Sequence, residues 1–242
     1  MARKWDSLLT TGNPKIVKGE KAGYFTGILH LAPMNVAGCG NVCPWATKGC
    51  AASCLNTAGR GGIIKKGEHT NNIQEARKER TRWLFDDPES FHDALDKAIL
   101  MHKKRAARYG MKPAIRLNGT SDLDVEKWDV MKAHQDVQFY DYTKSPVKAA
   151  MSVRGELPSN YHVTFSRAET VENQSQADAF IRQGVSVAVV FSGKTLPTAW
   201  RGKPVVDGDA TDLRFLDPAG AVVGLRAKGK GRKDTTGFVV SA

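Results

Sequence analysis

Four β-rich runs, AIRLN (114–118), VQFYDYT (137–143), YHVTFS (161–166) and VSVAVVFS (185–192), begin at intervals of about 24 residues. Helix-like segments lie between them, near 125–134, 145–152 and 171–183. A strand that is followed each time by a helix cannot turn straight back on itself. It crosses over and lies parallel to its predecessor, the construction of an α/β sheet. Upstream, YFTGILHLAP (24–33) reads as a strand ending at Pro33. Two helices are expected next, over 71–85 and 89–110, the second with apolar positions Phe91, Leu95, Ile99 and Met101 and a stop at Gly110. The rhythm fails in the C-terminal part, where 204–209, 213–217 and 221–227 are short strand-like pieces between Gly and Pro turns. Seven strands count toward a sheet, close to the eight of a (β/α) barrel. The expected fold is therefore α/β, a (β/α) barrel or partial TIM-like barrel, with a doubly wound open sheet as the rival. No linker divides residues 1–242, which read as a single domain with an N-terminal arm (1–20), a cysteine and glycine loop (34–62) and an irregular β-rich C-terminal part (200–242).

That loop, hung from the end of the first long strand, holds every cysteine of the 242 residues: Cys39, Cys43, Cys50 and Cys54, spaced C-x3-C-x6-C-x3-C. Disulfide frameworks belong mostly to short secreted chains with cysteines spread through the fold. The N-terminal MARKWDSLLTTGNPK has no charged segment followed by an apolar one, so no export is expected and a reducing cytoplasm is. Clustered thiolates there are most simply ligands, because several sulfurs held close together need a cation to neutralise them. Structural zinc usually takes two knuckles separated by a longer arm, whereas a [4Fe-4S] cubane spreads its ligand positions and accepts cysteines from one loop. The cluster is favoured and zinc is the alternative. Three cysteines suffice if a small molecule takes the fourth iron. All four stand as candidate ligands; if only three serve, Cys39 is the one left out, since Cys43, Cys50 and Cys54 lie nearest the following helix.

In parallel α/β folds chemistry collects at the carboxyl ends of the strands. Asn118, Thr120, Ser121 and Asp122 follow the second strand, Asp141 and Lys144 close the third, and Arg167 follows the fourth, with Asp207 and Lys228 at the ends of the later pieces. Asp122, Asp141 and Lys144 are the candidate catalytic groups. The others, with Lys228 and Arg167 as cations, are candidates for holding a small anionic ligand. TAGRGG (57–62) matches no phosphate-loop pattern, and six scattered histidines form no zinc-hydrolase pairing.

The net charge is +11, concentrated at Lys103, Lys104, Arg105 and Arg108 and at KGKGRK (228–233), which keeps nucleic acid or another acidic partner in view. No apolar run is long enough to span a membrane.

Together GYFTGILHLAP, NVCPWATKGCAASCLNTAGRGG, EARKERTRWLFDD, IRLNGTSD, VQFYDYTKSP and NYHVTFSR resemble the bacteriophage gene product 88-like family over most of residues 20–240. This resemblance implies a viral origin, hence the host cytoplasm, and no particular reaction. In architecture the chain also loosely resembles the radical S-adenosylmethionine enzymes, which implies redox or radical chemistry with S-adenosylmethionine on an open iron. Their motif is C-x3-C-x2-C; here the second gap is x6, and NGTSD stands where a Gly-Gly-Glu is expected. The expected function is a phage iron–sulfur protein, and the alternative is a nucleic-acid-binding protein with structural zinc.

Overall fold

A computed structural model describes residues 8–242. In chain order its elements are β1 (Leu9–Thr10), α1 (Pro14–Val17), β2 (Tyr24–Leu29), α2 (Lys48–Ala52), α3 (Asn72–Asp86), α4 (Pro88–Arg108), β3 (Lys112–Arg116), α5 (Val130–Ala133) and β4 (Gln138–Thr143). There follow α6 (Pro146–Arg154), β5 (Tyr161–Ser166), α7 (Val171–Arg182), β6 (Val187–Phe191), β7 (Ala199–Trp200), β8 (Lys203–Asp207), β9 (Val222–Arg226) and β10 (Val239–Val240). The seven expected strands are β2 to β6, β8 and β9. They lie parallel in the order β2-β3-β4-β5-β6-β9-β8. Antiparallel β1 and β7 border the two ends, and among the described residues no ladder joins these ends. The sheet is thus mixed, mostly parallel and open.

Helix starts explain the rhythm. Asp87 caps α4 through the Ser90 N–H (3.1 Å) with Pro88 in the first turn, Ser145 caps α6 ahead of Pro146, and Thr170 caps α7. Register then sorts the two faces. Ile115, Phe139 and Val163 point with Leu29 toward Phe91, Leu95 and Ile99 of α4, while Phe165, Val187 and Val189 point toward Ala177, Phe180 and Ile181 of α7. Phe139 pairs with Tyr161, and Phe165 with Val187, so these are one face of one sheet. Helices α4 and α7 therefore cover the same side, and β2 to β6 follow one another without the reversal that marks a doubly wound sheet.

Across the other face runs residues 211–217. Leu213 and Phe215 meet Ala114, Tyr140 and Tyr24, and the buried Asp212 carboxylate faces Lys15 Nζ (2.8 Å), Arg116 Nη1 (3.4 Å) and the Tyr140 hydroxyl, which donates to it (3.0 Å). Burial alone raises a carboxyl pKa, but Lys15 and Arg116 outweigh it and bring Asp212 down to about 2. One expectation changes here. The strand-like 213–217 is a 3-10 turn, Arg214–Leu216, because its side chains serve this polar cluster rather than a ladder. The described part of the N-terminal arm is docked, with Ile16 buried and Lys15 paired; residues 1–7 lie outside the described residues. The helix expected near 125–134 is also divided, into a 3-10 turn (Val125–Lys127) and α5. Trp128 adopts an extended conformation between them, its ring 4.8 Å from that of His92.

The C-terminal segment enters the sheet. β5 pairs with β6 only as far as Ser166 and Ala188, and β10 takes the place beside Val190 and Phe191. Residues 234–240 therefore run along the carboxyl end of the sheet.

Buried His102 and half-buried His30 and His162 predict acid lability. Burial lowers His102 and His162 to about 4 and, with Arg77, Arg116 and Arg80 nearby, His30 to about 3. A group whose folded pKa lies below its unfolded 6.5 contributes stability in full above that value and loses it as pH falls toward the folded pKa. Unfolding free energy measured by denaturant titration is expected to drop between pH 6.5 and 4, each histidine contributing on the order of a few kcal/mol and buried Asp141, raised to about 7, offsetting part of the fall. His102→Gln is expected to remove about one proton from the slope. A flat profile across this window would contradict the assignment.

Candidate functional site

The cysteine loop leaves the carboxyl end of β2 and is pinned to three later strand ends. Its Val42 carbonyl accepts from the Asp122 N–H (2.8 Å), and the Cys43 thiol lies 3.6 Å from the Thr120 carbonyl, both beyond β3. Thr47 caps α2 by accepting from the Cys50 N–H (3.2 Å). Beyond β5, Glu169 accepts from the Thr47 hydroxyl and the Gly49 N–H, both at 2.8 Å. Gly49 sits against the C-terminal segment, where an added Cβ would lie 2.7 Å from Phe238 Cβ. The turn Gly229–Lys233 packs on the loop in the same way: a Cβ at Gly229 would lie 3.2 Å from Ala58 Cβ.

Gly49→Ala is therefore expected to force α2 off Phe238 and Glu169, destabilising the protein by about 1–3 kcal/mol. Limited proteolysis should then cut within 34–62 faster than in the parent; equal rates would mean that the loop is not held by this contact.

All four cysteines are half-buried free thiols. Burial pushes Cys43 up to about 12, with smaller contributions from Cys54, Cys50 and Asp122. Cys54 is raised, first by burial and then by Cys50, while Arg77 and Lys144 act in the opposite direction. Among the described residues no three His, Cys, Asp or Glu side chains converge closely enough to enclose a metal ion.

The polar strand ends divide into two sets. Asn118 Oδ1 accepts from the Ser121 hydroxyl and the Leu123 N–H, and the Thr120 hydroxyl donates to Leu31, so NGTSD closes largely on itself. Asp122 accepts from the Thr143 hydroxyl (2.7 Å) and the Lys144 N–H (2.8 Å), which ties the ends of β3 and β4 together. Asp141 is buried under hydrogen bonds from the Asn118 N–H and the Tyr161 hydroxyl, and burial raises it to about 7. Asp207 pairs with Arg226, and Lys228 with Asp209, at the far rim. Lys144 and Arg167 form the other set, against the C-terminal segment: Lys144 Nζ donates to Ser166 Oγ (2.8 Å) and lies 5.3 Å from the Phe238 ring center, and Arg167 Nη1 donates to the Phe238 carbonyl (3.1 Å).

A model of the gene product 88 family matches residues 7–242. The chain belongs to the gene product 88 family. No curated protein and no solved structure matches it. For this family member, sequence reasoning missed Glu169 and Arg77. Glu169 stands two residues beyond Arg167 in the same strand-end loop and was open to the same rule, whereas Arg77 sits within a helix whose polar residues read as surface.

On the outer side of the loop Pro44 and Trp45 join Leu84, Phe85, Leu123 and Trp128 around an open groove of about 780 Å³. The basic segment of α4 is partly engaged at home, with Lys103 paired to Asp136 (2.7 Å) and Arg105 over the Phe25 ring. Among the described residues no helix is long and apolar enough to cross a membrane.

Proposed function

We propose that this protein binds a [4Fe-4S] cluster through Cys43, Cys50 and Cys54 at the mouth of a partial (β/α) barrel, with Cys39 outside the ligand set. The observation that carries this reading is one loop that holds all four half-buried free thiols and is fastened to the ends of β3 and β5. The thiols suit such a group chemically. Buried sulfurs resist deprotonation alone, and iron removes that resistance by taking the proton's place. Spacing favours the cluster over zinc. A tetrahedral zinc with sulfur at 2.3 Å needs its sulfurs roughly 3.8 Å apart, which two knuckles only six residues apart reach with difficulty. A cubane holds its cysteines wider. The one-sided helices and sequential strand order support the partial-barrel reading.

When bound, the cluster would supply one-electron chemistry, with an open iron as the place where S-adenosylmethionine would sit. The chain's own residues would hold the loop through Glu169 and shape the approach with Lys144 and Arg167. The nucleic-acid reading has less support, because part of the basic surface is consumed by internal contacts.

The test is metal analysis after anaerobic isolation and reconstitution. About four iron and four sulfide per chain are expected, with brown color. Colorless protein with one zinc per chain would overturn the reading.

A further inference from the structure

KGKGRK (228–233) alternates cations with glycines, and the fold turns the two kinds of residue to different sides. The turn Gly229–Lys233 lies on the cysteine loop. Gly231 is buried, and an added Cβ there would lie 3.4 Å from Ser53 Cβ; one at Gly229 would lie 3.2 Å from Ala58 Cβ and 3.4 Å from the Thr57 carbonyl oxygen. The positions facing the loop must be small. Lys230, Arg232 and Lys233 are left exposed.

TAGRGGIIKK (57–66) is built the same way. An added Cβ at Gly61 would lie 2.8 Å from the Asn56 carbonyl oxygen, and one at Gly62 would collide with the Thr57 carbonyl, the group that Gly229 also meets. The two basic segments therefore share one seat. Asn71 fixes the path of the second by donating to the carbonyls of Gly61 (3.1 Å) and Ile63 (2.9 Å), and Gln74 by donating to Gly61 (2.6 Å), while Arg60, Lys65 and Lys66 stand exposed. Among the described residues none of these six cations forms an ion pair. Asp234, next to Lys233, turns back to the Thr236 hydroxyl (2.8 Å) and the Val239 N–H (3.0 Å), and Glu68 is the one acid in residues 55–70. This rim differs from α4, where Lys103 and Arg105 are engaged, and from Lys228, which is committed to Asp209.

We infer that the rim of the cysteine loop formed by residues 57–66 and 228–233 grips the phosphate backbone of a nucleic acid. Backbone phosphates repeat, and they are held by several exposed cations in a row without exact geometry. A protein partner would be anchored on an apolar core. The 228–233 turn offers no apolar side chain, and residues 57–66 expose only Ile63 and Ile64 as large ones. The seat is made by Thr57 and Ala58 rather than by thiols, so this surface does not rest on the cluster.

Fluorescence anisotropy of a labelled oligonucleotide titrated with the full chain tests it, with a single strand in one arm and a duplex in the other. Saturable binding is expected in at least one arm, with log affinity falling against log salt at a slope of about −3 or steeper. The triple variants Lys230→Gln/Arg232→Gln/Lys233→Gln and Arg60→Gln/Lys65→Gln/Lys66→Gln are each expected to weaken binding about tenfold or more and to flatten that slope by about two. Lys104→Gln/Arg108→Gln on α4 is expected to change it less than about twofold. Circular dichroism reports whether each variant keeps its fold, and if one triple variant does not, the other decides. The inference is overturned by the absence of binding at low salt, by binding that neither triple variant weakens, or by equal weakening in the α4 variant. Displacement of the oligonucleotide by polyglutamate at equal charge would also overturn it and point to an acidic protein. Iron content of the same samples reports separately on the cluster, and its loss leaves the binding expected here unchanged.

Discussion

Cys43→Ala, Cys50→Ala and Cys54→Ala are each expected to lose nearly all iron after anaerobic reconstitution, while Cys39→Ala keeps most of it. The contrast follows from the loop. The Cys43 thiol reaches the Thr120 carbonyl, and the Cys50 N–H binds the Thr47 cap that Glu169 holds. Cys54 lies two residues before Asn56, whose side-chain oxygen accepts from Arg77 (2.7 Å). Removing one of three thiolates leaves two, too few to retain a cubane against exchange, and the polar environment offers no replacement, since Asp122 is committed to Thr143 and Lys144. Iron and sulfide assays with circular dichroism check both halves of the claim. Equal loss in all four variants would place Cys39 among the ligands.

Asp212→Ala carries the largest expected effect on stability. Its carboxylate is buried between Lys15 and Arg116 and also accepts from Tyr140. Taking it away leaves two interior cations without their main counter-charge, a loss of about 3–5 kcal/mol. For a chain of this size that lowers Tm by on the order of 10 °C. Asp212→Asn is expected to fall nearly as far, because it keeps the shape and loses the charge. The pairing also has a pH signature of the opposite kind to a raised carboxyl. Folded Asp212 titrates near 2, so its contribution is complete above the unfolded value of 3.8 and disappears as pH falls from there to 2. A Tm change of only a degree or two in Asp212→Ala would mean that water screens the cluster.

What was legible in the sequence follows the range of the forces involved. The parallel strands were, because burial on both faces leaves unbroken β-rich runs such as VSVAVVF and YHVTFS. Helices α4, α6 and α7 were, because Asp87, Ser145 and Thr170 announce their first turns. The turn Arg214–Leu216 was not. Its apolar alternation resembles a strand's, but Asp212 and Arg214 serve partners supplied by α1, β3 and β4, which no local pattern encodes. The same holds for the cysteine loop. Its spacing can be read directly, yet its anchors Glu169 and Phe238 lie more than a hundred residues away. Asp207 and Lys228 were selected as polar strand ends, and turn polarity alone accounts for them, since they close ion pairs with Arg226 and Asp209.

The central claim is that the thiols of one loop hold several irons together rather than one metal ion. Iron-edge X-ray absorption on the anaerobically reconstituted full chain reads this directly. A sulfur shell accompanied by an iron–iron shell is expected, with both lost in Cys50→Ala. A sulfur shell with no neighbouring iron, or folded protein that retains no iron, would contradict the account.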